Sequence, residues 1–480
     1  MLMKRRRIIF ILLAALSCIS FTLTGAEKFI TTQQQNNNLV LFSGDRRADI
    51  LLFPGSDKGI ERAVNDLQTD FRQVTGHQPE VLLNVTPTKM PLIIIGTLGT
   101  HSAVDALVAQ NKFDASNLQG KREMFVIESI TSPFDGIAEA IVIAGSDKRG
   151  TIYGIYELSE QLGVSPWYYW ADVPVEKQEN LYFQKGSYTD GEPAVTYRGI
   201  FLNDEAPALS GWADATFGGF NNSFYEKVFE LILRLRGNYL WPAMWGSAFY
   251  DDDPQNGVLA NEMGIIMGTS HHEPMAMAQT DWHRYVERNN LSNIWDYNKN
   301  AKTLQQSWQY GIERSRDWEK VVTVGMRGDG DEAMEEGVNI ALLEKIVADQ
   351  RKIISKVTGK KAEQTPQVWA LYKEVQDYYD HGMRVPDDVT LLYCDDNWGN
   401  IRKLPNIEAK PRKGGYGIYY HFDYVGAPRN SKWININPIQ RVWEQMNLAY
   451  SHGVDRLWIV NVGDLKPMEY PISFFLDMAW

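Results

Sequence analysis

From residue 197 onward, the chain repeats one pattern, a short apolar run followed by an amphipathic stretch. The runs are typical of buried β-strands. They lie at 197–202, 238–241, 264–267, 321–324, 367–372, 389–393, 417–420 and 456–460. Helix-like amphipathic stretches lie between most of them, including 224–236, 304–318, 340–357 and 439–452. Eight strand and helix units in about 280 residues predict a (β/α)8 TIM barrel. The alternative is an open doubly wound sheet, but its glycine-rich phosphate-binding fingerprint is missing.

The residues before this repeat predict a smaller α/β domain. Strand-like runs at 50–53, 92–95, 125–127 and 141–144 alternate with helix-like stretches at 60–74 and 154–162. We therefore expect an N-terminal α/β accessory domain at 27–171. Residues 172–196 are polar and interrupted by proline and glycine, which predicts a linker to the barrel at 197–480.

Residues 1–26 have the pattern of a cleaved secretory signal. Four basic residues at 4–7 precede a short apolar run, and small residues follow. The apolar run is too short for a stable membrane span. We expect a secreted or periplasmic protein without a membrane span, with a lipid anchor at Cys18 as a further option.

Composition restricts the partners of the chain. A formal net charge of −12 argues against a nucleic-acid partner. The 15 Trp and 23 Tyr residues supply flat amphipathic rings, which suit sugar faces as well as hydrophobic cores. Once the signal is removed, Cys394 is the single cysteine, so we expect neither a disulfide framework nor a thiolate metal cluster. No cofactor is predicted.

Polar and aromatic residues follow nearly every predicted strand. In a parallel barrel the carboxyl ends of the strands share one face, where the active site lies. The residues just past the eight runs are Asn203, Asp204, Glu205; Trp241, Trp245; His271, His272, Glu273; Arg327, Asp329, Asp331; Glu374; Asp395, Asp396, Asn397, Trp398; His421, Asp423, Tyr424; and Asn461, Asp464. Their recurrence on one rim predicts a shared cleft.

The segment 321–332, VVTVGMRGDGDE, has the highest charge density at a strand end. Arg327, Asp329 and Asp331 are spaced one residue apart, so an extended backbone would project all three side chains to the same side. The alternative interpretation is a solvated turn that caps the following helix.

A rim with many carboxylates suits glycoside hydrolysis. One carboxylic acid protonates the leaving oxygen, and a second carboxylate acts as base or nucleophile. Metal hydrolases use similar groups, and an ion could be held by Asp329, Asp331, Asp395 and His421. His271 and His272 are adjacent, so an extended backbone would point them to opposite sides, one lining the site and the other structural.

Seven long motifs in this chain resemble glycoside hydrolase family 115, the xylan α-1,2-glucuronidases. They are FLNDEAP at 201–207, GNYLWPAMW at 237–245, GTSHHEPM at 268–275, GMRGDGDEAM at 325–334, LYKEVQDYYDHGM at 371–383, LLYCDDNWGNIRKLP at 391–405 and GGYGIYYHFDYVG at 414–426. The resemblance implies an inverting hydrolase that removes glucuronic acid, or its 4-O-methyl form, from the xylose units of glucuronoxylan.

The resemblance also implies roles for individual residues. Glu374 falls on the general acid and Asp331 on the region of the base, with Asp395 and Asp396 as alternative bases. Implied sugar contacts are Arg327, Asn397, His421, Tyr424, one of His271 and His272, and the pair Asp204 and Glu205. The strand-end residues Asp395, Asp396, Trp245 and Trp398 complete the predicted substrate-binding set. Arg327 offers a fork suited to the substrate carboxylate, or it holds Asp329 or Asp331 in place.

The chain departs from the family at its end. Family members usually continue beyond the barrel into further domains that help to form a homodimer, whereas this sequence stops at Trp480. Two other hypotheses follow from the residues: a non-catalytic fragment that binds acidic xylan, and a metal-dependent hydrolase on the same barrel.

Overall fold

The computed structural model describes residues 28–35, 37–203, 206–334 and 337–480. The predicted signal at 1–26, with Cys18, and the predicted site residues Asp204 and Glu205 lie outside the described residues. Among the described helices, none combines the length and apolarity needed to cross a lipid bilayer.

The first part of the chain forms two sheets. A four-stranded antiparallel sheet has the order β1-β9-β2-β3, and a six-stranded mixed sheet has the order β10-β7-β8-β6-β4-β5. The strands are β1 (Ile30–Thr31), β2 (Asn38–Ser43), β3 (Arg46–Arg47), β4 (Asp49–Leu51), β5 (Val81–Leu82), β6 (Leu92–Thr97), β7 (Phe125–Thr131), β8 (Glu139–Gly145), β9 (Asn180–Gln184) and β10 (Ser187–Tyr188). Residues 172–196, predicted as a linker, therefore contribute one strand to each sheet.

Among the described residues of this part, three α-helices accompany the strands: α1 (Lys58–Thr75), α2 (Ala103–Ala109) and α3 (Lys148–Gln161). Helix α1 begins where the Asp57 carboxylate accepts a hydrogen bond from the Gly59 N–H, and it ends at Gly76 in the left-handed conformation, φ 78°. Helix α3 packs closely on the six-stranded sheet. A Cβ at Gly154 would meet the Ile143 side chain at 2.7 Å, so only glycine permits this approach.

The second part contains an eight-stranded parallel sheet in the order β13-β12-β11-β18-β17-β16-β15-β14. The strands are β11 (Tyr197–Leu202), β12 (Tyr239–Trp241), β13 (Ile266–Met267), β14 (Val322–Thr323), β15 (Gln367–Ala370), β16 (Thr390–Cys394), β17 (Tyr416–His421) and β18 (Leu457–Gly463). An isolated parallel bridge pairs Met267 of β13 with Lys320, which lies two residues before β14.

The described residues of this part also form ten α-helices: α4 (Ala208–Phe217), α5 (Asn222–Arg234), α6 (Phe249–Asp252), α7 (Gln255–Met263), α8 (Gln279–Arg288), α9 (Tyr297–Arg314), α10 (Ile340–Thr358), α11 (Val375–Asp380), α12 (Ile439–Ser451) and α13 (Glu469–Ala479). The strands between them are almost entirely buried, as expected for parallel strands covered by helices. The fold is therefore α/β, as predicted.

Aromatic side chains fill the inner face of the parallel sheet. Phe201, Trp241 and Tyr419 contact one another, with ring centroids 5.2 to 6.1 Å apart. Each such side chain contributes on the order of 2 kcal/mol by leaving water. This packed floor lies beneath the carboxyl ends of the strands.

A buried polar cluster joins the two parts of the chain. Glu123 accepts hydrogen bonds from Arg198 Nη2 at 2.6 Å, Arg149 Nε at 2.6 Å and Asn238 Nδ2 at 3.0 Å. Arg198 is fully buried at the start of β11, and Glu123 is 1% exposed. The free-energy cost of removing these charges from water is offset by their mutual contacts only while all four side chains are present.

Candidate active site

A cavity of about 440 Å³ opens at the carboxyl ends of the parallel strands. Its lining comes from seven of the eight strands or from the loops that follow them. The lining residues are Asn203, Ala206, Met244, Trp245, His271, Asp331, Tyr372, Tyr419, His421, Asp423, Tyr424, Val425 and Asn461. Five predicted site residues, Trp245, His271, Asp331, His421 and Tyr424, are thus brought together around one space.

Arg327 joins the two predicted catalytic carboxylates. Its Nε and Nη2 each donate to one Glu374 carboxylate oxygen at 2.8 Å, and its Nη1 is in ion-pair contact with Asp331 Oδ1. The Arg327 side chain is 3% exposed, whereas Glu374 is 25% and Asp331 17% exposed. The guanidinium is therefore engaged by the protein, and the two carboxylates lie on either side of it.

The prediction that Arg327, Asp329 and Asp331 project to the same side is wrong. The chain leaves the extended conformation after β14, since Gly325 has φ 97° and residues Asp329–Asp331 form a 3₁₀ turn with Gly330 at φ 73°. This turn brings Asp331 back to Arg327. It points Asp329 outward, where the carboxylate lies 3.2 Å from His283 Nε2 and is 42% exposed.

His271 and His272 both reach the Asp331 carboxylate, so the prediction that they point to opposite sides is also wrong. His271 Nε2 and His272 Nδ1 lie 2.9 and 3.4 Å from Asp331 Oδ1, because the backbone turns at these residues. Burial, followed by the charge of Arg327, lowers the pKa of His271 well below its ordinary value. Burial and the neighbouring His271 do the same to the pKa of His272. Both imidazoles are therefore neutral near pH 7.

His421 is held from behind by a buried carboxylate. Asp395 accepts from the His421 backbone N–H at 3.1 Å, and its other oxygen lies 2.6 Å from His421 Nδ1. The His421 tautomer that carries its proton on Nδ1 donates to Asp395, and its Nε2 can then accept a hydrogen bond. Asp395 is 1% exposed and does not line the cavity.

The loop after β16 is organised by its own side chains. Asp396 accepts from the backbone N–H of Trp398 and Asn400 at 3.0 Å, and from Asn400 Nδ2 at 2.8 Å. Asn397 has φ 72°, and its Oδ1 is buried without a hydrogen-bond partner among the described residues. Asp396 thus shapes the loop, whereas Asn397 retains an acceptor that is not used by the protein.

Three non-glycine residues around the cavity adopt the left-handed conformation: Asp331 at φ 63°, Lys373 at φ 47° and Asn397 at φ 72°. Such backbone conformations are uncommon outside glycine and cluster at functional sites. Here they lie in the loops that follow three neighbouring strands, β14, β15 and β16. Asp331 and Asn397 are predicted site residues, whereas Lys373 was not predicted.

Comparisons with known proteins assign the chain to a family. A sequence model of Glycosyl hydrolase family 115 matches residues 190–480. The chain belongs to glycosyl hydrolase family 115. The family 115 4-O-methyl-α-glucuronidase BtGH115A, which has specificity for decorated arabinogalactans, is 36% identical, with a TM-score of 0.81. The match covers 92% of this chain but 57% of that protein, so this chain spans little more than half of its length.

Two further solved structures, at low sequence identity, share the fold alone. A mutant β-hexosaminidase of Streptomyces plicatus in complex with its product has 12% identity and a TM-score of 0.56, over 93% of this chain and 88% of that one. A β-N-acetylglucosaminidase has 12% identity and a TM-score of 0.51, over 95% and 91%. No curated protein matches the chain.

Aromatic residues border the cavity of this family 115 chain. The Trp245 ring is 44% exposed, stacks on His272 at 5.9 Å and donates from Nε1 to Asn203 Oδ1 at 2.8 Å. Trp398 meets Tyr424 edge to face at 5.7 Å, and the Tyr424 hydroxyl donates to the Ala427 carbonyl at 2.8 Å. The partly exposed Trp245 ring is therefore held in place at the entrance to the cavity.

Three residues in or beside the cavity were not predicted from the sequence. Tyr372 and Tyr419 are buried rings of the cavity wall, and Lys373 Nζ lies 3.8 Å from Asp331 Oδ2. Tyr419 could have been found, because it is two residues from His421 in β17 and must share its side of the sheet. Lys373 gave no such signal, since its placement depends on a left-handed backbone beyond β15.

The proposed ion ligands of the sequence analysis are not assembled as one group. Among the described residues, the ligand atoms close enough to share an ion belong to His271, His272 and Asp331, within 4.8 Å of one another. Arg327 contacts the same Asp331 oxygen, and Lys373 lies near the other. Two cations at the single carboxylate ligand oppose a divalent ion there.

Proposed function

We propose that this chain is the catalytic part of an inverting α-glucuronidase that releases glucuronic acid, or its 4-O-methyl form, α-1,2-linked to xylose in glucuronoxylan. The observation that carries the proposal is the Glu374, Arg327 and Asp331 arrangement beside a sugar-sized cavity. Family membership supports glycoside hydrolysis. The specificity of BtGH115A favours a second candidate substrate, a glucuronate-decorated arabinogalactan.

In this proposal Glu374 is the general acid. It is the more exposed of the two carboxylates, and it begins helix α11 just beyond β15, at the rim. The bidentate contact with Arg327 fixes the orientation of its carboxyl group. A protonated Glu374 would donate to the glycosidic oxygen as the bond to the anomeric carbon breaks.

Asp331 is the proposed base. It lines the cavity, and its oxygens are oriented by His271, Arg327 and Lys373. An inverting enzyme holds its two carboxyl groups about 6.5 to 9.5 Å apart, leaving room for a water molecule. Arg327 acts here as a spacer between the carboxylates, which supports the interpretation that it positions them.

Lys373 is the proposed partner of the substrate carboxylate. Its side chain is 37% exposed, and its amine lies over the rings of Tyr372 and Tyr424, 5.2 and 5.9 Å from their centroids. Both rings line the cavity. Since Arg327 is already engaged by two carboxylates, Lys373 is the cation better able to meet a uronate.

Replacing Lys373 by methionine should weaken glucuronate binding about tenfold, because one charge-assisted contact is lost at a partly exposed site. Binding of glucuronamide, which lacks the negative charge, should change little. Calorimetric titration of both compounds measures the difference. Lys403→Met is the matched control, as Lys403 is similarly exposed and pairs with Asp380 instead. An equal loss for both compounds would contradict the assignment.

The eight-stranded sheet is proposed to be a closed (β/α)8 barrel. The bridge between Met267 and Lys320, with the Val321 N–H donating to the Met267 carbonyl at 3.0 Å, supports closure between the outer strands. The cavity then lies at the barrel face that carries active sites. Residues 27–171 would be the accessory domain, and the full-length protein a secreted or periplasmic homodimer.

The test is release of glucuronic acid by the 480-residue chain. Glucuronoxylan and a glucuronate-decorated arabinogalactan are offered separately, with and without a chelator, and proton NMR follows the first anomer formed. We expect release that is insensitive to chelator, with the β-anomer appearing first. An α-anomer would overturn inversion, and loss of activity with chelator would favour the metal hydrolase. Glucuronate binding without release from either glycan would favour the binding-fragment hypothesis.

A further inference from the structure

A second cavity of about 270 Å³ lies beside the active site, between the first part of the chain and the parallel sheet. Its walls come from Tyr169 and Trp170 on one side and from Leu209 and Trp212 of helix α4 on the other. Asp464 and Leu465, directly after β18, close it. The linings of the two cavities have no residue in common.

Its aromatic walls form a connected set. Trp212 lies 5.3 Å from Trp170 and 6.5 Å from Tyr169, and Tyr169 meets Trp170 edge to face at 5.5 Å. Trp170 is 6% exposed and donates from Nε1 to the Lys227 carbonyl, whereas Trp212 is 40% exposed. Tyr169 and Trp170 thus hold the exposed Trp212 indole in place. The flat apolar face of this ring suits the C–H face of a sugar.

Asp464 supplies a polar group at the same place. Its Oδ1 is enclosed and has no hydrogen-bond partner among the described residues. Burial raises the pKa of Asp464 to about 6, because the Leu209 backbone N–H offsets the desolvation only in part and Asp423 adds to it. Asp464 as a whole is partly exposed and lines the cavity, so a sugar hydroxyl that enters can donate to its carboxylate.

The two cavities share their chain segments. In one segment, Asn203 and Ala206 line the catalytic cavity and Ala208 lines the second cavity. In another segment, Asn461 lines the catalytic cavity and Asp464 lines the second. A separation of two or three residues limits the span between these positions to about 7 to 10 Å. A glycan with its glucuronate in the first cavity can therefore place an adjoining sugar in the second.

The charges around the second cavity favour a neutral sugar over an acidic one. Asp464 lines this cavity, and Lys466 at its edge lies 3.5 Å from the Asp172 carboxylate, which offsets its charge. A second uronate would meet an unbalanced carboxylate there, whereas a neutral sugar offers hydroxyl donors without charge. We propose that this cavity is a subsite for a neutral sugar residue of the glycan that carries the glucuronate. The identity of that glycan rests on the proposed function.

The test measures binding and does not depend on turnover. Xylotriose and a neutral galactotriose are titrated separately into the 480-residue chain and its Trp212→Ala, Trp212→Phe and Trp433→Ala forms. Trp433 is 79% exposed and lies outside both cavities, so it is the matched control. We expect one trisaccharide to bind, about five- to tenfold more weakly with Trp212→Ala and less so with Trp212→Phe, since the smaller ring still stacks.

Free glucuronic acid should bind equally well to the parent and to Trp212→Ala. If Trp212→Ala does not fold, the Trp212→Phe titration decides. The proposal is overturned if neither trisaccharide binds the parent, or if the Trp212 variants bind as the parent does. Xylotriose binding supports a xylan chain in the subsite, and galactotriose binding supports a galactan chain. Trisaccharide binding without glucuronic acid release would overturn the proposed function alone, and release without trisaccharide binding would overturn the subsite alone.

Discussion

Replacing Glu374 by glutamine should lower kcat/KM for glucuronic acid release by about 10²- to 10⁴-fold, the usual contribution of a general acid. Glutamine has nearly the same shape, and its amide oxygen can accept from one of the two Arg327 N–H donors, whereas its amide nitrogen cannot accept from the other. The variant therefore keeps the side chain in place with one of its two contacts and loses the transferable proton. Steady-state kinetics on the preferred glycan measure the loss.

Two comparisons separate acid catalysis from a structural effect of this change. A glucuronide with a good leaving group needs little protonation, so Glu374→Gln should retain far more of the parent activity on it than on the glycan. Glu408→Gln, at an exposed position, should behave as the parent on both substrates. An equal loss on the two substrates would contradict the role of Glu374 as acid.

Removing the buried Glu123 carboxylate should give the largest loss of stability. Glu123→Ala leaves Arg198 without its charge partner at a fully buried position, and breaking a buried ion pair in this way costs about 3 to 5 kcal/mol. Thermal and urea unfolding measure the change. Glu192→Ala is the control, because Glu192 pairs with Lys121 at an exposed site where such pairs contribute about 1 kcal/mol or less. Similar losses for the two variants would contradict the argument.

The same residue predicts an acid dependence of stability. Burial raises the pKa of Glu123, but Arg198 and Arg149 outweigh it and lower the pKa to about 2. An unfolded glutamate titrates near pH 4.3, so the folded state resists protonation and the stabilisation is complete above that pH. It is lost as pH falls from about 4.5 toward 2. Glu123→Gln should therefore flatten this part of the stability profile relative to the parent chain.

The strands could be predicted from sequence because each is buried and apolar. The runs at 197–202, 367–372 and 456–460 correspond to β11, β15 and β18 within a few residues. The family and the α/β class followed from these runs and the motifs at their ends, and both are confirmed. The cavity lies at those ends, where the rim residues were predicted to meet.

The orientations of individual side chains in the site could not be predicted. They depend on loop turns, and the pattern of alternating strands and helices in the sequence does not specify the conformation of those turns. The left-handed backbone at Gly330 and Asp331 brings the Asp331 carboxylate into contact with Arg327. The turn at residues 271–272 brings both imidazoles to the same carboxylate. Asp464 was visible in the sequence as a strand-end residue, but the aromatic wall of its cavity comes from residues 169–170, which are far away in sequence.

The shared guanidinium has a consequence for proton exchange with solvent. Arg327 and Lys373 are the cations in contact with the Glu374 and Asp331 carboxyl groups, whereas His271 and His272, whose pKa values are lowered, are neutral. A bound glucuronate brings a third carboxyl group to a set that holds two cations. We therefore expect the complex to take up roughly one proton from solution. Calorimetric titrations in buffers of different ionisation enthalpy should show a matching buffer dependence, and its absence would mean that the ligand enters without proton linkage. The acidic substrate would then help to protonate the site that cleaves it.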